Sequence, residues 1–305
     1  MQNNHVIRGS VCALLGGIFW GFSGTCAQFL MSNYQVSALW ITCVRMLFAA
    51  VFFLAVIVVR DFKSLIAISH DWRSLIMIAI FSLFGVFLVQ VAYLKVIGYT
   101  NSGTGTMFEQ TGLVLIMLYV CIREKRFPKL REVIGLVLAF ASMVAISTQG
   151  HIGGVAIPLK GLIWGIISAV GYALYALLPV ALLKKWDSIM ISGLSMLFGG
   201  VVVSLAVQPW RMPVSMEPGL IGTVAAIILI GTFLSYILYL QAIRDAGPLK
   251  TSLLCSVEPA SAMVISAVWL GTHISIFDAV GCILIIAMVF FVTQKEVTDK
   301  KVNDC

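Results

Sequence analysis

Long apolar runs separated by short polar interruptions dominate this chain. Ten charge-poor stretches stand out, at 9–31, 36–59, 74–94, 100–121, 132–149, 160–183, 188–208, 219–242, 248–270 and 275–294. Each is long enough to cross ~30 Å of hydrocarbon as a helix rising ~1.5 Å per residue. Lipid offers no partner to backbone N–H and C=O groups, so such runs fold as helices or as a closed barrel. They lack the alternation of barrel strands and are about twice too long for them, which leaves helices. The pattern predicts an all-α integral membrane protein with ten transmembrane helices.

Composition agrees. Of 305 residues, 60% are hydrophobic and 11% charged, and the mean hydropathy is +1.03. Soluble domains carry about 25% charge, and a larger core does not remove the need to cover a water-facing surface. About nine residues remain for each connection once ten spans are assigned. A separate catalytic or nucleic-acid-binding domain does not fit. The N-terminal run exceeds the apolar core of a cleavable signal peptide.

The net charge of +7 reports orientation. With the N-terminus in the cytoplasm, 16 of the 20 Lys and Arg fall on the inner side. Only Lys95, Lys160 and Arg211 face outward, and Arg45 lies within a span. Both termini are therefore expected to be cytoplasmic. Trp40, Trp210 and Trp269 near the outer ends, with Trp72 and Trp186 near the inner ends, suit interfacial belts. The seven cysteines show no CxxC or Cys/His spacing, so neither metal nor cofactor is expected.

The chain also repeats itself. Arg45-Met-Leu-Phe-Ala-Ala in span 2 returns as Ser195-Met-Leu-Phe-Gly-Gly in span 7, and Tyr93-Leu-Lys-Val-Ile in span 3 as Tyr239-Leu-Gln-Ala-Ile in span 8. Glu109-Gln is matched to Glu258-Pro, and Gly135-Leu-Val-Leu to Gly281-Cys-Ile-Leu. The order is preserved. Five spans per repeat is an odd number, so the second half enters the membrane from the opposite side. Two inverted five-helix repeats, 1–149 and 150–305, are the expected division. Such symmetry supplies two nearly equivalent arrangements facing opposite sides, the basis of alternating access.

These residues carry a resemblance to a known family. Phe19-Trp-Gly-Phe-Ser-Gly in span 1, Val44-Arg-Met-Leu in span 2 and Ser256-Val-Glu-Pro in span 9 resemble the EamA-type members of the drug/metabolite transporter superfamily. Leu270-Gly, Ile274-Ser and Gly281 complete the second signature. The resemblance extends over essentially all ten spans. It implies a ten-helix carrier with a central cavity that exports amino acids or related small metabolites across the bacterial cytoplasmic membrane. One departure is Leu270-Gly271-Thr272, where the family often has Leu-Gly-Glu; Glu124 keeps that place in the first repeat.

Charge inside a membrane costs several kcal/mol unless paired or hydrated. Arg45 and Glu109 both sit ~14 Å deep, near the midplane, and Glu258 reaches similar depth along span 9. Equal depth permits an Arg45–Glu109 ion pair. That pair is either a structural clamp or a place where substrate carboxylate or a proton competes. A carboxyl in apolar surroundings holds its proton more tightly, which admits proton coupling. Trp20 in span 1, with Tyr172 and Tyr175 in span 6, forms a candidate aromatic lining; ordinary helix packing is the alternative. Gln90 with Tyr93, and Ser235 with Tyr236 and Tyr239, form a second repeat-related polar set. Gly103, Gly105 and Pro259 weaken spans 4 and 9 at corresponding places, which points to hinges at a carrier's binding site. Close helix packing is the other reading of the glycines. His5, His70, His151 and His273 fall in tails, loops or ends.

A secondary transporter is the first functional reading, with a multidrug, nucleoside-type or facilitative carrier as its variant. An intramembrane enzyme would need chemistry the chain lacks: HExxH, GxSxG, a paired Asp motif and a Cys/His dyad are all missing from the sequence. A channel would need a continuous polar stripe. The expected partners are a small-molecule substrate, protons as a coupling ion and membrane lipid, with no nucleic acid; a monomer or homodimer is expected.

Overall fold

The computed structural model describes residues 2–99, 102–148, 158–270 and 275–293. Those residues are helical throughout their ordered elements, without a strand among them. In chain order the helices are α1 (Gln2–Asn33), α2 (Ala38–Ser69), α3 (Trp72–Tyr99), α4 (Ser102–Gln110), α5 (Gly112–Glu124) and α6 (Leu130–Thr148). Then follow α7 (Leu159–Leu183), α8 (Ser188–Val207), α9 (Pro218–Ala246), α10 (Pro248–Cys255), α11 (Glu258–Leu270) and α12 (Ile276–Thr293).

Seven helical segments among the described residues are long and apolar enough to cross a membrane. They match the expected spans 1, 2, 3, 6, 7, 8 and 9. The expected span 4 forms α4 and α5, split at Thr111; spans 5 and 10 form α6 and α12. Several boundaries move. Asp61 leaves helical geometry (φ −154°, ψ 60°) where span 2 was expected to end, and its carboxylate accepts a hydrogen bond from Ser64 N at 3.1 Å, starting a short continuation to Ser69. α3 and α9 run on to Tyr99 and Ala246, so Tyr93 and Tyr239 lie deeper in their helices than the sequence pattern places them.

The helices begin where short polar side chains satisfy free amides. Ser37 caps α2 through Trp40 N (3.1 Å), and Asp187 caps α8 through Ile189 N (3.4 Å). Apolar side chains face outward along the spans, as with Val51 at 63% and Val59 at 89% exposed, while Thr42, Ser82, Ser192 and Ser195 are fully buried. That distribution suits lipid, which rewards inward polar groups and tolerates outward apolar ones. Trp72 and Trp210 are exposed, in keeping with interfacial positions, but Trp40 is buried against Val36, Ile41 and Leu220 and does not belong to a belt.

Packing follows a pattern. α2 lies along α8, and α6 along α12; α1 packs on α9 as α7 packs on α3; α1 packs on α10 and α11 as α7 packs on α4 and α5. Exchanging helices six apart in number converts this set of contacts into itself. α3 and α9 also carry π-helical stretches at matching places, Phe81–Phe87 and Ile227–Leu234. In α9 the extra backbone freedom is met by side chains, with Thr232 Oγ1 donating to Ile227 O (2.9 Å) and Ser235 Oγ to Ile230 O (2.7 Å).

One end of the bundle is tied by charge. Arg8 on α1 donates to Asp245 on α9 through Nε (2.7 Å) and Nη2 (2.9 Å). Arg244 reaches Asp187 at 3.1 Å, and Lys185 pairs with Asp71 between α7 and α3. We refer to this as the basic end.

Candidate functional site

α1, α2, α3, α7 and α9 line a partly open cavity of about 40 Å³ near the middle of the bundle, which Glu109 and Glu258 border from beside the breaks of α4/α5 and α10/α11. Trp20, Ser23 and Gly24 line it from α1, Arg45 from α2, and Gln90 and Tyr93 from α3. Tyr175 and Tyr236 contribute from α7 and α9, and the carboxylates of Glu109 and Glu258 from the two interrupted helices. Space of this size holds a few waters, not a metabolite.

Both interruptions have the same backbone cause. At the first, Thr111 N bonds back only three residues, to Phe108 O (3.1 Å). At the second, Ser256 N and Val257 N do likewise, to Leu253 O (3.2 Å) and Leu254 O (3.3 Å). A tightened turn of this kind releases carbonyls from the i−4 ladder and lets the following helix start afresh. Pro259 then falls in the first turn of α11, where its missing N–H costs little. Gly103 and Gly105 lie inside α4 and not at its interruption, which falls at Thr111. Matching the two breaks pairs Thr111 with Val257, so Glu109 and Glu258 stand on opposite sides of their respective breaks. They are not equivalent positions, as the Glu-Gln and Glu-Pro match had suggested.

Arg45 is 7% and Glu258 4% exposed; Glu109 and Trp20 are half-buried. The expected ion pair is not formed: among the described residues Arg45 makes no salt bridge to Glu109 or Glu258. The three side chains border the cavity without closing on one another. Arg45 Nε, Gln90 Oε1 and Tyr175 Oη are buried and have no hydrogen-bond partner among the described residues. Unpaired buried polar atoms cost about 1–3 kcal/mol each, which suits a site whose polar groups are completed by what enters it.

Aromatic rings form the wall nearest the basic end. Trp20 contacts Tyr239 at 4.8 Å between ring centroids, Tyr236 at 5.8 Å and Tyr175 at 5.9 Å; Tyr175 stacks on Tyr239 at 5.0 Å. Tyr172 does not line the cavity. It is buried below this wall and donates to Ser252 O at 3.4 Å. Gln90 and Tyr236 meet directly, Nε2 to Oη at 2.6 Å, and Ser256 Oγ donates to Gln110 Oε1 at 3.0 Å. Gln110 lay outside the sequence-derived candidates, because a lone amide in an apolar helix gives no periodic signal. Gly21 lets α1 approach the second break: a Cβ there would stand 2.6 Å from Glu258 O.

His5 lies beside Asp245 at 3.9 Å at the basic end, and His70 Nδ1 is 2.8 Å from Ile66 O. His151 and His273 are outside the described residues. No cluster of three His, Cys, Asp or Glu suited to a metal occurs among those described.

Comparison with known proteins places the chain in a family. The chain is 26% identical to an uncharacterized inner membrane transporter of Salmonella typhimurium, over 94% of this chain and 95% of that protein. It is 27% identical to an uncharacterized transporter of Bacillus subtilis, over 90% of each. A solved structure, described as "Crystal structure of protein", superimposes with a TM-score of 0.74 over 93% of this chain and 96% of that one, at 14% identity, and so shares the fold. The EamA-like transporter family matches twice, over residues 7–148 and 159–294. A membrane-spanning helical bundle, matched by that family in both halves, this chain belongs to the EamA-like transporter family.

Proposed function

We propose that the chain is a secondary carrier of ten membrane segments, built as two inverted five-helix repeats (1–149 and 150–305), that exports amino acids or related small metabolites by alternating access. The observation that carries this reading is the packing: exchanging helices six apart returns the same contacts. The double family match supports it. With five segments per repeat, the second repeat crosses in the opposite sense and two conformations related by a pseudo-two-fold axis become nearly equal in energy. The charge asymmetry supports cytoplasmic termini, with the basic end inside. The name of the Salmonella relative supports an inner membrane location.

The cavity chemistry suits a small zwitterion. Arg45 offers a guanidinium to a carboxylate, Glu109 and Glu258 offer acceptors to an ammonium or a proton, and Trp20 with Tyr175 offers apolar area. The chain carries no Walker motif, so a substrate, exchange or proton gradient supplies the energy. The clustered rings of Trp20, Tyr175, Tyr236 and Tyr239 favour a second reading, a multidrug or nucleoside-type carrier.

Counterflow in proteoliposomes tests the reading. Vesicles loaded with amino acids and related metabolites are expected to accumulate trace label saturably, and faster across a pH gradient if protons are coupled. Uptake of labelled nucleosides or aromatic drugs alone would favour the second reading. Linear, unsaturable uptake of every compound would rule out a carrier.

A further inference from the structure

A groove runs down the outside of the bundle between α3 and α8, apart from the central cavity and sharing none of its lining residues. Trp72, Ile76 and Ala79 form its wall on α3, and Phe198, Val201 and Val202 its wall on α8. Its volume is about 560 Å³, and every residue lining it is hydrophobic. Both helices start at the basic end, so the groove opens there. α8 begins at Ser188, which puts Val202 ~21 Å from the mouth at ~1.5 Å per residue. That is about the length of one extended acyl chain, and it stays within ~30 Å of hydrocarbon.

The mouth carries positive charge without a counter-charge. The connection between α7 and α8 sits on the first turn of α3, where Trp186 Nε1 donates to Ser74 Oγ (2.9 Å) and Lys185 pairs with Asp71. Lys184, beside that pair, and Arg73, next to Trp72, are exposed, and neither forms an ion pair among the described residues. Asp71 is taken up by Lys185 and Asp187 by Arg244, which leaves Arg73 and Lys184 unbalanced. Trp72 stands at the rim, 73% exposed, where an indole suits the level of lipid headgroups. The other half of the chain is built differently. The sequence repeat sets Pro218 and Gly219 where Trp72 and Arg73 stand, and Phe52 where Val202 stands. There the rings of Phe52 and Phe233 lie against each other across α2 and α9, at 6.2 Å between centroids. Neither the rim tryptophan nor the cation beside it has an equivalent at that place, so the repeat alone does not account for this groove.

We propose that the groove binds one anionic glycerophospholipid, with an acyl chain lying between α3 and α8 and the headgroup phosphate held by Arg73 and Lys184. An acyl chain matches the length and the wholly apolar lining. Two unpaired cations favour a headgroup of net negative charge over a zwitterionic one. A second copy of the chain fits less well, because a two-fold pairing through this face sets the patch against itself and brings the cations of both copies together. The site lies outside the central cavity and stands independently of what the carrier moves.

The test is quenching of Trp72 fluorescence by brominated phospholipid, with the full-length chain reconstituted into equimolar phosphatidylcholine and phosphatidylglycerol. Bromine is placed on the acyl chains of one lipid or of the other, so the charge of the bilayer is the same in both arms. The Trp72 signal is the difference from Trp72→Phe, which leaves the other tryptophans as background. Brominated phosphatidylglycerol is expected to quench that signal as a lipid favoured about five-fold or more over phosphatidylcholine, about five-fold being the share of one cation worth ~1 kcal/mol near a membrane surface. Arg73→Gln combined with Lys184→Gln should abolish the preference while both lipids still quench. Val202→Phe, which copies Phe52 into the groove, should weaken quenching by both. Equal quenching by the two lipids in the unsubstituted protein would leave an ordinary lipid-facing surface and overturn the site. A preference untouched by the double charge variant would overturn it as well. Trp72 shielded from both lipids, with Val201→Cys cross-linking between chains, would give the groove to a second copy instead.

Discussion

Arg45 and Glu258 are nearly buried at the centre of the bundle, yet the cavity keeps Arg45 clear of both carboxylates. A charge held this way is costly without a partner, so its value lies in what it binds. Glu258→Gln preserves shape and removes the carboxylate's charge and its proton exchange. It is expected to slow counterflow or flatten its pH dependence while the purified protein stays monodisperse; wild-type rates at every pH would remove Glu258 from the mechanism. Asp71, between α2 and α3, shows the opposite use of charge. Hydrogen bonds from Lys185 and from Ser74 stabilise its carboxylate, holding its pKa down at about 2. A depressed carboxylate stabilises the fold above the usual carboxylate range and loses that contribution as pH falls toward about 2. Asp71→Asn should therefore flatten the fall in thermal midpoint between pH 5 and pH 2.5, measured in detergent; an unchanged slope would separate this pair from acid stability. Arg45, Glu109 and Glu258 were legible in the sequence because charge is rare in these spans. Their lack of a direct contact was not, since depth along a helix says nothing of rotation about it.

At the scale of elements, the π-helical stretches of α3 and α9 bring α7 and α1 into the site. Gly85 and Gly231 lie at matching places within them. A Cβ on Gly85 would meet the Tyr175 backbone at 3.3 Å, and one on Gly231 would overlap the Ser23 side chain. Small residues here let the helices approach to backbone contact. Gly231→Ala is expected to destabilise the protein by ~1–3 kcal/mol through overpacking, read as a lower thermal midpoint. Gly222→Ala, on the same α9 with nothing within 4 Å of the added methyl, is the control and should not lower it. An equal response of the two variants would dissociate Gly231 from the packing argument. The sequence showed these glycines but no sign of a π stretch, because both helix types draw on the same apolar residues. Pro259 stands two residues from the second break at Val257, whereas Gly103 and Gly105 lie eight and six residues before the first, at Thr111.

At the scale of the molecule, the ion pairs collect at one end: Arg8–Asp245, Lys185–Asp71 and Arg244–Asp187. In the inverted-repeat carrier proposed above, this charge would distinguish two otherwise similar ends and bias the equilibrium between them. The proposed orientation has its own test. Cysteines introduced at Lys184 and at Arg211 are predicted to react with impermeant reagent from opposite faces of the membrane, the first from the cytoplasm. Labelling of both from one face would contradict the orientation.

Hydropathy along the chain was enough to establish a helical membrane protein, because membrane insertion depends on local transfer energies that each segment carries by itself, and recurring residue motifs carried its repeat and its family resemblance. Tertiary structure alone decided that Arg45 stands apart from both carboxylates, that Trp40 is buried, and that Tyr172 braces Ser252 outside the cavity. Each depends on how a nearly uniform apolar helix is rotated and how closely its neighbour approaches, and only packing between helices sets those two quantities.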